Sequence, residues 1–190
     1  ETELGPENGW AFAGISGESA ITGIHAATLV SMRPETTLKV LTDVLGYSID
    51  SEDEQHYKLR IHDDLGGLLY LQKQAEERGN IAQGSVHHIA FRIKNDEVGL
   101  WHEKLTEAGL HPTEIKDRHY FRSIYFRERG GILIELASEG PGMTIDEDEQ
   151  HLGERFIVPD KFRADEAEIL ETMMPLEVRE IEQQIGRAHV

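Results

Sequence analysis

One spacing constrains this chain more than any other feature. His25 and His88, Gly46 and Gly109, and Gln72 and Glu135 are each 63 positions apart. The stretches around them carry the same succession of signals, which predicts an internal repeat. In the first copy, an extended run from Ile21 to Met32 precedes Pro34-Glu35, where a proline suits the first turn of a helix. Leu38, Leu41, Val44 and Leu45 give that helix one apolar face, and Gly46 stands where helices end. Residues 47–51, 56–62 and 67–72 alternate as three short strands. In the second copy, a strand over Val86–Ile93 leads to Asp96, a suitable N-cap. Val98, Trp101, Leu105 and Ala108 share a helical face, Gly109 closes it, and strands are expected over 113–116, 121–126 and 131–136. Each copy is strand-helix-strand-strand-strand. A lone four-stranded unit leaves an apolar face uncovered, so the two copies are expected to pair around a cleft. The predicted fold is therefore α+β, with paired βαβββ modules over 21–75 and 84–138. Residues 1–20 read as a Gly-rich linker. Residues 139–190 read as an acidic loop followed by C-terminal helices over 164–174 and 176–185, separated by Pro175.

The chemistry concentrates in the second copy. In Ser85-Val86-His87-His88-Ile89-Ala90-Phe91-Arg92-Ile93, strand alternation puts His88 with Val86, Ala90 and Arg92, and His87 with Ile89, Phe91 and Ile93. Apolar residues on both faces predict a covered inner strand. In Gly131-Ile132-Leu133-Ile134-Glu135-Leu136, four aliphatic residues surround one carboxylate. A buried, unpaired carboxylate is costly. A divalent cation between His88 and Glu135 would satisfy both side chains. The plainer alternative is a structural hydrogen bond between them. For His87 the alternatives are an acid/base residue reached through a strand bend or a polar plug on the far face.

Composition narrows the function classes. The net charge is −17, from 36 acidic and 19 basic residues. That lacks the basic footprint nucleic-acid binding needs. Seven lysines accompany twelve arginines. An acidic surface of this kind suits a protein built for high salt, the alternative being an ordinary acidic exterior. No cysteine is present, which excludes disulfides and thiolate metal sites. No apolar run is long enough to span a bilayer, so no membrane partner is expected, and the expected location is cytoplasmic. The acidic run in Glu139–Glu149 reads as a solvated loop.

The repeat, the Val86–Ile93 strand and Gly131–Glu135 together resemble the vicinal oxygen chelate superfamily, which pairs βαβββ modules around a divalent metal. Within it, Asp117-Arg118-His119-Tyr120-Phe121-Arg122-Ser123-Ile124-Tyr125-Phe126-Arg127-Glu128 is similar to the ring-cleaving dioxygenases that act on hydroquinones. So are Gly140-Pro141-Gly142-Met143-Thr144-Ile145-Asp146-Glu147 and Leu152-Gly153-Glu154. The likeness covers about residues 20–175 and is to the C-terminal half of those enzymes. It implies an Fe(II) site, or Mn(II), built from two His and one Glu with open positions. His88 and Glu135 match two of those ligands. His87, Arg118 and Tyr125 match polar positions around substrate and oxygen. The implied substrates are a small aromatic diol and O2. Arg118 would balance phenolate charge through its fork, while a nearby His or Tyr moves the proton.

The third ligand has two candidate sources. In the family it lies in an N-terminal module, so the expected partner is the N-terminal half of the same protein or a second copy of the chain. Alternatively, His25 supplies it, as the first module does in related extradiol enzymes. Two rival functions share the fold. A glyoxalase-type lyase or isomerase would use His25, Gln72, His88 and Glu135 symmetrically around Zn(II) or Ni(II). A non-catalytic module would bind a small molecule and no metal.

Overall fold

The computed structural model describes residues 14–173 apart from 76, 78, 81 and 154. The helix expected over 176–185 and most of the N-terminal linker lie outside the described residues. Two units are described separately: Ile24–Gly142, and the N-terminal stretch together with the residues from Met143 onward.

The first unit contains two βαβββ modules. In the first, β1 (Ala26–Leu29) leads through helix α1 (Pro34–Lys39) to β2 (Ser48–Glu52), β3 (His56–Arg60) and β4 (Leu68–Gln72). In the second, β5 (Ile89–Ile93) leads through α2 (Val98–Glu107) to β6 (Lys116–Asp117), β7 (Arg122–Arg127) and β8 (Leu133–Ser138). The sheets have matching orders, β1-β4-β3-β2 and β5-β8-β7-β6, with the first and last strand of each module parallel. Pro34 stands in the first turn of α1, which widens into a π-type turn over Val40–Val44. Gly46 and Gly109 follow the helices with φ of 89° and 70°, a left-handed conformation that costs glycine little. The expected Asp96 cap is not formed: Glu97 occupies the cap position, without a side-chain hydrogen bond.

Both modules feed one apolar core. Leu41, Leu59, Leu69 and Leu71 from the first join Leu105, Ile124, Phe126, Ile134 and Leu136 from the second, all nearly free of solvent contact. Burying each contributes about 1.5–3 kcal/mol before entropy is subtracted. A polar knot ties the modules together beside this core. The buried Glu128 carboxylate accepts hydrogen bonds from the Thr37 hydroxyl at 2.8 Å and from the amides of Gly130 and Ile132 at 2.6 and 2.8 Å. Ser31 and Thr37 share a hydroxyl contact at 2.6 Å, and Met32 N–H donates to Gly130 O at 3.0 Å. Gly130 has no room for a side chain, because a Cβ there would lie 1.9 Å from Ser31 Oγ.

Two expectations about strands are corrected. The strand expected over Val86–Ile93 is confined to Ile89–Ile93, after the histidine pair, and sits at a sheet edge, hydrogen-bonded to β8 alone among the described strands. The inner strand is β8, between β5 and β7. The expected covering of both faces of this strand is not found. Ile89, Phe91 and Ile93 meet the core, whereas Ala90 and Arg92 are exposed.

The constant spacing of 63 also fails to preserve facing. It holds at the fourth strands, where Leu71 and Ile134 both enter the core and Gln72 and Glu135 take the other face. It breaks at the first strands: Ala27 packs on the core, but Ala90, 63 positions later, is exposed. The ladders show why. Ala26 pairs with Leu68, 42 residues on, and Ile89 with Ile134, 45 residues on. An odd difference in pairing turns a residue to the opposite side of the sheet.

In the second unit, a 3-10 stretch over Asp160–Asp165 runs into α3 (Glu166–Thr172), within the expected 164–174 helix. No helix of the described residues is long and apolar enough to cross a membrane.

Candidate functional site

β8 and β7 supply the centre of the site. Tyr125 and Glu135 are direct cross-strand partners, and Glu135 also pairs with Ala90 of β5. The Glu135 side chain points away from the core that Ile134 and Leu136 enter, yet the residue is only 4% exposed. Such a carboxylate needs partners for both oxygens. His88 Nε2 lies 2.8 Å from Glu135 Oε2. The Tyr125 hydroxyl donates to Glu135 Oε1 in a short hydrogen bond. The His88 and Tyr125 rings meet edge to face, 5.6 Å between centroids and 90° apart.

The chain of contacts extends at both ends. Arg118 Nη2 donates to the Tyr125 hydroxyl at 3.3 Å, with its guanidinium 5.3 Å from the Tyr125 ring centroid. A tight turn after β6 holds Arg118 there: its amide donates to Phe121 O at 2.9 Å, and Asp117 Oδ1 accepts the His119 amide at 2.8 Å. At the other end, His87 Nδ1 lies 2.9 Å from His88 Nδ1. Residues 85–88 precede β5 without strand pairing, so the two histidines do not alternate across a sheet. Both line one open cleft of about 520 Å³ with Leu29, Met32, Arg127 and Ile132.

Five of the six predicted side chains therefore form one connected series: His87, His88, Glu135, Tyr125 and Arg118. His25 does not join it. It is exposed and stands immediately before β1. No group of three or more His, Cys, Asp or Glu side chains comes together among the described residues. Gln72 pairs with His56 in β3 and lines a second cleft, which shares Glu77 with the histidine cleft. The symmetric four-ligand arrangement of a lyase is thus not assembled by these residues.

The donor set of the pair fits a divalent transition metal. An imidazole nitrogen and a carboxylate oxygen already converge and the carboxylate is desolvated, donor types that divalent first-row metals accept. Sequence reasoning missed Ser123. Its hydroxyl is fully buried without a hydrogen-bond partner and shares the β7 face of Tyr125. Strand alternation back from Tyr125 was the available signal.

With this geometry in place, the chain can be compared with known proteins. Residues 23–136 match the family model described as Glyoxalase/Bleomycin resistance protein/Dioxygenase superfamily. A Bacillus subtilis (strain 168) protein named "putative ring-cleaving dioxygenase MhqO" is 34% identical over 183 residues, covering 96% of this chain and 59% of that protein. The chlorohydroquinone/hydroquinone 1,2-dioxygenase of Sphingobium indicum is 38% identical over 96 residues, covering 49% of this chain and 29% of that enzyme. A crystal structure of a "putative dioxygenase" from Bacillus subtilis superposes with a TM-score of 0.88 at 35% identity, covering 95% of this chain and 59% of that one. The chain spans little more than half the length of MhqO.

Proposed function

Because the chain belongs to the glyoxalase/bleomycin resistance/dioxygenase superfamily, we propose that it is the ligand-bearing part of a ring-cleaving dioxygenase for hydroquinone-type aromatic diols. The observation that carries this reading is the desolvated His88–Glu135 pair with Tyr125 and Arg118 attached to it. The names of the relatives support the reaction class: one is named "putative ring-cleaving dioxygenase MhqO", another "chlorohydroquinone/hydroquinone 1,2-dioxygenase".

His88 and Glu135 would hold Fe(II), with Mn(II) as the neighbouring choice. When bound, such an ion supplies Lewis acidity and an electron path between a phenolate and O2. The remaining steps belong to the protein. Arg118 offers a fixed positive charge beside the Tyr125 hydroxyl, where a phenolate or carboxylate group of the substrate would be balanced. Tyr125, whose hydroxyl hydrogen goes to Glu135 and whose oxygen accepts from Arg118, would hold the carboxylate in place beside the substrate. His87, on the cleft side, is placed to move a proton to or from the ring hydroxyl. The third ligand is proposed to come from outside this chain, from an N-terminal half of a longer protein or from a second copy of the chain.

Fe(II) reconstitution under anaerobic conditions, followed by oxygen uptake with a panel of hydroquinones and catechols, tests the reading. The chain alone should bind Fe(II) weakly and turn over little. Adding the N-terminal half of a relative should raise uptake, and His88→Ala should abolish the gain. Robust turnover by the chain alone that disappears in His25→Ala would overturn the shared-site reading. Retention of Zn(II) or Ni(II) without oxygen uptake would favour the lyase.

A further inference from the structure

His87 and His88 meet through Nδ1 of both rings, 2.9 Å apart. A neutral imidazole has one N–H and one lone pair, so one ring must donate across this contact and the other accept. His88 is constrained at its other nitrogen, because Nε2 faces the acceptor oxygen of Glu135 at 2.8 Å. With that carboxylate ionised, Nε2 carries the hydrogen and Nδ1 is left as the acceptor. His87 must then carry its hydrogen on Nδ1, leaving a lone pair on Nε2. A cation on the pair reverses every assignment. Coordination needs the Nε2 lone pair of His88, so that ring's hydrogen moves to Nδ1. Nδ1 of His87 must now accept, and its hydrogen moves to Nε2. Each ring holds one hydrogen before and after, so no proton is gained or lost overall.

We propose that His87 is the positioning residue for His88, and that occupation of the His88–Glu135 pair by a divalent cation switches Nε2 of His87 from hydrogen-bond acceptor to donor. This rests on the proposed metal role of His88 and Glu135. His87 lines the cleft and is solvent-exposed. Its second nitrogen is therefore available to a ligand, and it offers a hydrogen to a substrate oxygen only in the loaded protein. Metal-ligating histidines commonly fix their orientation by donating the second ring N–H to a carboxylate, carbonyl or water. Here the acceptor is another imidazole, which passes the change outward.

The test is long-range proton–nitrogen NMR of the histidine-labelled chain at about pH 8.5, where imidazoles are ordinarily neutral. Spectra are recorded without metal and with saturating Zn(II) as a diamagnetic probe. The expected result is His88 protonated on Nε2 and His87 on Nδ1 without metal, and both assignments exchanged with it. If His88 coordinates through Nε2 while His87 keeps its tautomer, this proposal fails and the metal site stands. If Zn(II) leaves His88 unchanged, the metal reading fails and takes this proposal with it. A second measurement is Zn(II) affinity by chelator competition. His87→Phe should weaken binding about 10–100-fold. His87→Gln, whose amide oxygen can accept from His88 Nδ1, should recover most of the loss. Wild-type affinity in His87→Phe would overturn the proposal.

Discussion

The two modules share a topology but use the sheet face opposite the core differently. In the first, β2 and β3 build a surface ion cluster on it. Lys58 Nζ and Arg60 Nε approach the Asp50 carboxylate at 2.9 and 3.3 Å. In the second, β5, β7 and β8 place His88, Tyr125 and Glu135 in mutual contact, with one carboxylate nearly removed from solvent. The first arrangement contributes little, because exposed ion pairs are screened and flexible. The second cannot relax into water, so each partner is obligatory. Identical topology thus yields a surface in one copy and a site in the other, and burial separates them.

The largest expected effects ask whether the modules really form one body. If they share a core, Phe126→Ala in the second and Leu59→Ala in the first should each destabilise the same unfolding transition, by about 3–5 and 2–5 kcal/mol. Two separate transitions in calorimetry would show the modules to be independent. Next comes the site itself. Glu135→Ala should weaken Fe(II) binding by about 100-fold or more, since a ligand counts for at least as much as its supporting partners. Gln72→Ala should leave binding unchanged. Equal losses in both variants would restore the symmetric arrangement.

Smaller effects sharpen the contrast. Thr37→Val removes a donor to the buried Glu128 and should cost about 1–3 kcal/mol in denaturant melts. No change would mean the knot does not couple the modules. With a net charge of −17, molar KCl should raise the melting temperature by screening self-repulsion. A flat response would reduce the acidic surface to an ordinary exterior.

The smallest effects follow pH. Burial pushes the Tyr47 phenol up to about 12. The unfolded chain would ionise this tyrosine from about pH 10, while the folded chain resists, so stability should fall between pH 10 and 12. A spectrophotometric titration showing Tyr47 ionising with the exposed tyrosines would contradict this. Hydrogen bonds from Lys58 and then Arg60 hold the Asp50 carboxyl below its ordinary range. Its contribution should be present above the usual carboxylate pKa and fade as pH falls through the lowered value. Asp50→Asn should flatten that acid limb only slightly, because the ion cluster lies at the surface.

Much of this protein was legible in one dimension. Periodicity and punctuation marked two βαβββ copies, because Gly46 and Gly109 end helices through a backbone preference that needs no partner. The lone carboxylate in an aliphatic run pointed to Glu135, and adjacent histidines to His88, because burying such groups is costly wherever they lie. His87 and His25 were not legible in the same way. Their facing depends on where strand pairing begins and on the register between the first and fourth strands of each module. Pairing distances of 42 and 45 residues turn Ala27 and Ala90 to opposite faces while leaving the spacing of 63 intact. Sequence by itself determined which residues must find partners, since that follows from the chemistry of each side chain. Only the tertiary structure decided which partners they found, because hydrogen-bond register between distant strands turns a side chain toward the cleft or away from it.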